Sequence, residues 1–265
     1  MGSLADGLSN EKILAAVALA LQLEIVLVLS HLVFVAYICY KDLYTDDWER
    51  YSLEKKRTAT LKDYADGVKS FFVDIFICNT PFLSLSLYFS YDRIAYSTDP
   101  LWVSTIKFLL GYNLGRVWAY GMHRLLHTPY FYSRFHKRHH VTPAKLVASG
   151  AWLDSYFEYL FMELPSFLTM ILFFPTNILF HQVFFVWHGV SAAADHSGFA
   201  FPEEEGWLRN FLFDGEVHYM HHKLTTWNYG EVEWIDYLFK THHTQRPQHA
   251  AKRQFNRQKR ITRRN

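Results

Sequence analysis

Cysteine is nearly absent from this chain. Of its 265 residues only Cys39 and Cys78 are cysteines, and no CxxC pair occurs, which excludes a disulfide framework and a thiolate metal site. No HExxH occurs either, so a zinc hydrolase with a glutamate base beside its two histidine ligands is excluded. There is no Gly-rich dinucleotide fingerprint, and therefore no nicotinamide site of that kind in the sequence. A cleaved signal peptide is not expected: residues 1–10 lack a basic segment, and the apolar run after them is too long. Internal repeats and low-complexity linkers are missing. The net charge of +2 decides nothing by itself.

The chain is rich instead in apolar and aromatic residues, with 23 Phe, 17 Tyr and 8 Trp. Its mean hydropathy is near zero because apolar blocks alternate with charged loops. The run from Ile13 to Tyr40 is interrupted only by Gln22, Glu24, Ser30 and His31. That exceeds the roughly 20 residues that cross a bilayer core. Glu24 and His31 are seven apart and share a helix face, which predicts hydrogen-bond partners inside a bundle. Val68 to Phe89 reads as a second span, kinked at Asn79-Thr80-Pro81. Leu101 to Met122 reads as a third. Trp152 to Phe174 and Ile178 to Ala194 read as an apolar hairpin broken at Pro175-Thr176-Asn177. Asp154, Glu158 and Glu163 make its first arm tilted or partly interfacial.

Lys and Arg concentrate in residues 41–66, 123–150 and beyond 196, whereas the turns at 91–100 and 175–177 carry only Arg93. The positive-inside rule then places residues 123–150 and the C-terminus in the cytosol, with the N-terminus across the membrane. The basic stretch Lys252 to Arg264 reads as an anchor facing anionic lipid rather than a nucleic-acid arm. The expected fold is all-α: a polytopic membrane helical bundle with a cytosolic histidine-rich helical cap. Residues 1–122 supply N-terminal transmembrane helices and 123–265 the histidine-rich region, as one integrated unit.

Three histidine clusters carry the chemistry: His123-x3-His127, His136-x2-His139-His140 and His218-x2-His221-His222. Residues three and four apart share a helix face, so each cluster presents its imidazoles together. A single zinc site needs only about four ligands, so eight imidazoles grouped in this way point to more than one transition metal. Imidazole suits iron, zinc, copper and nickel alike.

The order and spacing of these boxes resemble the fatty acid hydroxylase superfamily of integral-membrane non-haem di-iron enzymes. Its members include sterol desaturases, C4-methylsterol oxidases, sphingoid-base hydroxylases and fatty acid 2-hydroxylases. The resemblance runs from about Asn113 to Thr241. His123-Arg124-Leu125-Leu126-His127 and Phe135-His136-Lys137-Arg138-His139-His140 are similar to the first two boxes, and His218-Tyr219-Met220-His221-His222 to the last. Asp195-His196-Ser197-Gly198-Phe199 resembles the His-x-Gly-Tyr element, which adds His196 as a further ligand. Asn228-Tyr229-Gly230 resembles the short motif that follows the last box in sterol desaturases. Two departures stand out. The run Ile235-Asp236-Tyr237-Leu238-Phe239-Lys240-Thr241 lacks the Arg and Gly of the usual family ending. Ala192 stands where some relatives carry a histidine, which implies one protein ligand fewer, with water in its place.

The resemblance implies two iron ions held by His123, His127, His136, His139, His140, His196, His218, His221 and His222, with O2 as co-substrate. Oxygen would be inserted into an alkyl C–H bond, or the bond desaturated, in a sterol, fatty acyl, sphingoid or terpenoid substrate. Electrons would come from NAD(P)H through cytochrome b5 or a ferredoxin, since the chain has no haem-binding segment of its own. Arg134, Lys137, Arg138 and Lys145 are candidates for docking that carrier, or simply follow the positive-inside rule. The endoplasmic reticulum is the expected membrane. His181 and His188 read as buried hydrogen-bonded histidines, with His188 a reserve ligand, and His242, His243 and His249 as exposed. Asp195 reads equally as a carboxylate partner of His196 and as a helix cap. Asp214, Glu216 and Glu231 are further carboxylate candidates. The alternative is a membrane metal-binding or transport protein. Against it, transport sites lie near the bilayer midplane on broken helices, whereas these clusters fall just beyond the expected spans.

Overall fold

In lipid a chain can satisfy its backbone polar groups only internally, and long apolar runs therefore fold as helices. The computed structural model describes residues 10–140, 142–200 and 215–245, and among them no β-strand occurs. Helix α1 (Asn10–Tyr44) covers the first apolar run and its flanks. Helices α2 (Leu61–Val73) and α3 (Thr80–Ala95) are joined without a break by a π-helical turn, Asp74–Asn79. α4 (Leu101–Leu126) leads to the short α5 (Pro129–Phe131) and a second π turn, Tyr132–His136. α6 (Tyr156–Glu158), a third π turn (Tyr159–Glu163) and α7 (Leu164–Phe173) form one rod. α8 (Ile178–Asp195), α9 (Gly215–Leu224) and α10 (Glu233–Phe239) complete the described chain.

Three helical rods among the described residues are long and apolar enough to cross a membrane: Asn10–Tyr44, Leu61–Ala95 and Tyr156–Phe173. The expected spans at 101–122 and 178–194 do form helices, but neither meets that measure. Lys107, Arg116 and His123 lower the apolarity of α4, and His181, Gln182, His188 and Asp195 that of α8. The arm read as interfacial, by contrast, qualifies as a span. Its acids turn inward, so its outer face stays apolar. The basic stretch Lys252 to Arg264, His249 and Asp214 lie outside the described residues.

α1 packs against α3 and α8, and α4 against α7. Their shared core contains Leu23, Leu27, Phe71, Leu87, Phe167 and Phe184, while Leu29, Val33, Phe76, Phe89 and Phe173 project outward. Outward apolar residues of this kind suit a lipid environment. Glu24 and His31 find the interior partners expected of them. The Glu24 carboxylate accepts from Asn79 Nδ2 at 3.0 Å and Thr80 Oγ1 at 2.9 Å, and His31 Nδ1 lies 2.9 Å from the Gly189 carbonyl.

The kink expected at Pro81 takes the form of the π turn just before it. Proline removes an amide donor and crowds the preceding carbonyls, and a widened turn relieves both. Thr80 Oγ1 donates to the Ile75 carbonyl at 3.0 Å within that turn. Asn79→Ala removes one donor from a buried carboxylate and should cost about 1–3 kcal/mol, read as a lower melting temperature in detergent. Lipid-facing Leu85→Ala should melt within a degree or so of the parent, since exposed substitutions usually fall within about 0.5 kcal/mol.

Candidate metal centre

The histidine clusters converge because each sits where a helix ends or changes pitch. His123 lies one turn from the end of α4 and His127 is its C-cap, so both imidazoles leave the helix in one direction. The π turn Tyr132–His136 closes with the Lys137 amide donating to the Tyr132 carbonyl at 2.9 Å. The extra residue such a turn holds shifts the following side chains by about 100° around the axis. His136, His139 and His140 thereby face the ends of α4 and α9. His196 is the C-cap of α8, where Gly198, at φ +77°, reverses the chain. His218, His221 and His222 lie on the buried face of α9.

The nine imidazoles sort into two groups: His123, His127, His136, His140 and His221 in one, His139, His196, His218 and His222 in the other. Within the first, Nε2 atoms approach one another at 3.1 Å (His123–His136, His127–His221) and 2.9 Å (His136–His127, His140–His136). Within the second the separations are 3.1 Å (His196–His139), 2.8 Å (His218–His196) and 3.0 Å (His222–His218). Two nitrogens bound at about 2.1 Å to one ion at a right angle would be about 3.0 Å apart.

The far side of each ring decides what these approaches mean. His123 Nδ1 faces the Tyr229 carbonyl at 2.7 Å, His221 Nδ1 the Trp227 carbonyl at 2.7 Å and His196 Nδ1 the Ala192 carbonyl at 2.9 Å. His127 has a backbone hydrogen bond to Thr225. His136 Nδ1 lies 2.6 Å from Glu158 Oε1, and His139 Nδ1 2.9 Å from Asp154 Oδ1. A backbone carbonyl can only accept, so His123, His196 and His221 carry the proton on Nδ1 and turn Nε2 inward as a bare lone pair. The His139–Asp154 approach is an ion-pair distance without hydrogen-bond geometry. Burial, with neighbouring imidazoles second, pushes His127 down to about 2 and His140 to about 3. It holds His139, His218, His221 and His222 well below the ordinary histidine range. Neutral lone pairs therefore face one another at about 3 Å, an arrangement that a shared cation would balance.

Asp154 and Glu158 were legible only as misplaced acids in an apolar arm. The structure shows their role: each meets the ring of one histidine, and the two histidines belong to different groups. For His196 the Nδ1 partner is the Ala192 carbonyl rather than Asp195. The loop after α9 supplies the Thr225, Trp227 and Tyr229 contacts, and it is pinned by Asp236. That carboxylate accepts from the Tyr229 amide at 2.9 Å, the Gly230 amide at 2.8 Å and Thr241 Oγ1 at 2.7 Å. A Cβ at Gly230 would meet Asp236 Oδ2 at 2.8 Å, so glycine is required there. His242 and His243, expected to be exposed, are buried. His242 stacks on Tyr237 with ring centroids 4.1 Å apart, and the His243 amide donates to Asn228 Oδ1 at 2.7 Å. Loop closure through Asn228 draws this segment inward, which a polar local sequence does not reveal.

A cavity of about 40 Å³ touches both groups and is lined by His123, His139, His196, His218, Trp152 and Ala192 among others. That is room for a few water-sized molecules. Glu163 and Glu231 also face it. His188 belongs to neither group: its Nδ1 lies 2.9 Å from Arg116 Nη2 and its Nε2 3.8 Å from Glu163 Oε2. Arg116 also pairs with Glu231. The group nearer Ala192 has four histidines against five in the other, in keeping with the side chain missing at that position.

These features define a class: a helical membrane bundle whose helix ends gather nine histidines into two sites suited to metal. The chain belongs to the fatty acid hydroxylase family, whose model matches residues 108–241. It is 26% identical over 201 residues to a fatty acid hydroxylase of Mycosarcoma maydis, covering 74% of this chain and 50% of that protein. It is 26% identical over 165 residues to a delta(7)-sterol 5(6)-desaturase of Gibberella zeae, covering 61% of this chain and 48% of that one. The chain thus spans about half the length of these curated relatives. No solved structure matches it.

Asp236→Ala should release the loop that orients His123, His127 and His221. Expected is loss of about one metal ion per purified chain, with a change in metal affinity on the order of 10–100-fold. Metal analysis by mass spectrometry reads it. Unchanged metal content would show that the loop does not orient the ligands.

Proposed function

We propose that this chain is a membrane-bound di-iron oxygenase that hydroxylates or desaturates an alkyl position of a lipid-like substrate, using O2 and external electrons. The observation that carries this reading is the facing of unprotonated Nε2 atoms in two adjoining groups. Donors of one chemical type, gathered in a dry pocket with their tautomers fixed, suit two transition ions. When bound, two iron ions would supply O2 reduction and attack on an unactivated C–H bond, chemistry that side chains lack. His123, His127, His136, His140 and His221 would hold one ion, and His139, His196, His218 and His222 the other. Glu158 orients the His136 ring through Nδ1 and Asp154 lies beside His139 Nδ1, while Ala151, Trp152 and Met162 give the cavity apolar walls.

A groove of about 820 Å³ runs between α4 and α7, walled by Trp118, Gly121, Met122, Phe161, Leu168 and Phe173 among others. Its wall is almost wholly apolar, in keeping with a substrate drawn from the bilayer. Groove and cavity share a partition: Met122, Phe161 and Leu164 face the groove, while His123, Met162 and Glu163 face the cavity. A chain lying in the groove therefore needs only a small movement of Met162 to bring a carbon to the metals. Residues 1–122 act with 123–265 as one unit, since His123 and His127 end a helix that begins in the first part. The histidine sites face the cytosol, in keeping with the charge distribution, and the membrane is that of the endoplasmic reticulum. Electrons originate from NAD(P)H and arrive through cytochrome b5 or a ferredoxin. A transport role fits less well, because the histidines lie at helix ends rather than on a helix broken at the bilayer midplane.

Lipid mass spectrometry of cells expressing the chain, with His139→Ala as the blank, tests this reading. A mutant-sensitive species about 16 Da heavier than its precursor is expected for hydroxylation, or about 2 Da lighter for desaturation, since the metals serve both branches. Identical lipid profiles for parent and mutant would contradict it.

A further inference from the structure

A second opening adjoins the same region at Asp154. A polar funnel of about 600 Å³ is lined by Asp66, Lys69, Ser70, Asp74, Arg138 and Asp154 among others. At its floor Asp74, only 3% exposed, has its Oδ2 unpartnered. Asp74 belongs to the π turn Asp74–Asn79, Glu158 begins the neighbouring rod, and Glu163 ends the π turn Tyr159–Glu163. Asp74, Asp154, Glu158 and Glu163 lie close enough to act on one another's charge. Asp154 and Glu158 already hold His139 and His136. Asp74 and Glu163 hold no histidine of either group, yet one faces the funnel and the other the cavity.

Arg116 Nη2 can only donate, so His188 Nδ1 accepts and the His188 proton sits on Nε2, which lies 3.8 Å from Glu163 Oε2, beyond hydrogen-bond reach. The charged and titratable groups around Glu163 are then Arg116 from α4, His188 from α8, Asp74 from the π turn after α2, Asp154 from the segment before α6, and Glu158 and Tyr159 from its own rod. Glu231, paired with Arg116, closes the far wall of the cavity.

The reaction class creates a need that these groups meet. Hydroxylation balances as RH + O2 + 2 electrons + 2 H+ → ROH + H2O. A C–H and an O–O bond break, C–O and O–H bonds form, the carbon is oxidised and O2 reduced, and the electrons come from the external carrier. Two protons must therefore reach a buried cavity in every turnover. Resting on the oxygenase reading above, we propose that Glu163 is the carboxyl that donates protons into the cavity, and that it is recharged from water in the funnel by way of Asp74. Each donation leaves Glu163 as a carboxylate beside Arg116, and one proton passing inward from Asp74 restores it.

Two measurements on the purified full chain in lipid nanodiscs test this independently. In metal-free protein, infrared difference spectra taken across a pH titration should contain a carboxyl C=O band that is absent in Glu163→Gln. That band should exchange rapidly in D2O, and Asp74→Asn should slow the exchange tenfold or more. Absence of a Glu163-dependent band, or wild-type exchange in Asp74→Asn, overturns the path. In ferrous-loaded protein mixed with O2, Glu163→Gln should bind iron as the parent does. Its O2 consumption should fall on the order of 10²-fold or more, the usual weight of a positioned proton donor. The pH dependence and solvent isotope effect of the parent should vanish with it, and Glu163→Asp should restore part of the rate. Loss of iron in Glu163→Gln, or an unchanged rate and pH profile, overturns the proposal. Parent protein that consumes O2 no faster than His139→Ala overturns the oxygenase reading and the supply role with it, even where the infrared exchange is as expected.

Discussion

Nine imidazoles turn their Nε2 atoms towards one another across gaps of about 3 Å, and the rest of the molecule is arranged to keep them there. Left alone, such an array repels itself. It persists because the rings whose Nδ1 faces a backbone carbonyl are held as the Nδ1–H tautomer, which leaves the inner nitrogen without a proton. Burial opposes protonation further. The two groups thus present neutral nitrogen donors of a kind that could hold a metal ion each.

Holding that array inside a membrane bundle creates a geometric difficulty. A helix that shows lipid an apolar face must carry every polar group of the site on the opposite, inward face. Three π-helical turns address it, at Asp74–Asn79, Tyr132–His136 and Tyr159–Glu163. Each contributes a polar group to the site or its approaches: Asp74 to the funnel, His136 to a metal site, Glu163 to the cavity. Beyond the first and third turns the helix resumes, as α3 and α7. Widened turns are frequent at functional sites, and here one rod, Tyr156–Phe173, is long and apolar enough to span a membrane and also lines the cavity beside the histidines.

Much of this was legible in the sequence. The spacing of the histidine boxes identified the ligand candidates, because a ligand set is a matter of residue type and helical offset. The apolar runs located α1 and the α2–α3 rod, and Pro81 marked the irregularity between them. The partners of Glu24 and His31 followed from the cost of polar groups in lipid. What sequence did not reveal depends on tertiary closure. Asp154 and Glu158 looked like blemishes in a span, since nothing local says that they meet histidines some twenty residues back. His242 and His243 looked exposed because their burial depends on Asn228 and Asp236, which fold the segment inward. The backbone carbonyls of Trp227, Tyr229 and Ala192 have no sequence signature, yet they set the tautomers of three ligands.

The central claim is that the two histidine groups hold two ions, and X-ray absorption at the iron edge on purified, iron-loaded protein tests it most directly. The account predicts a coordination shell dominated by imidazole nitrogen at about 2.1 Å, with the multiple scattering that imidazole rings give, and two irons per chain. A shell dominated by oxygen or sulfur, or a stoichiometry below one iron per chain, would contradict it.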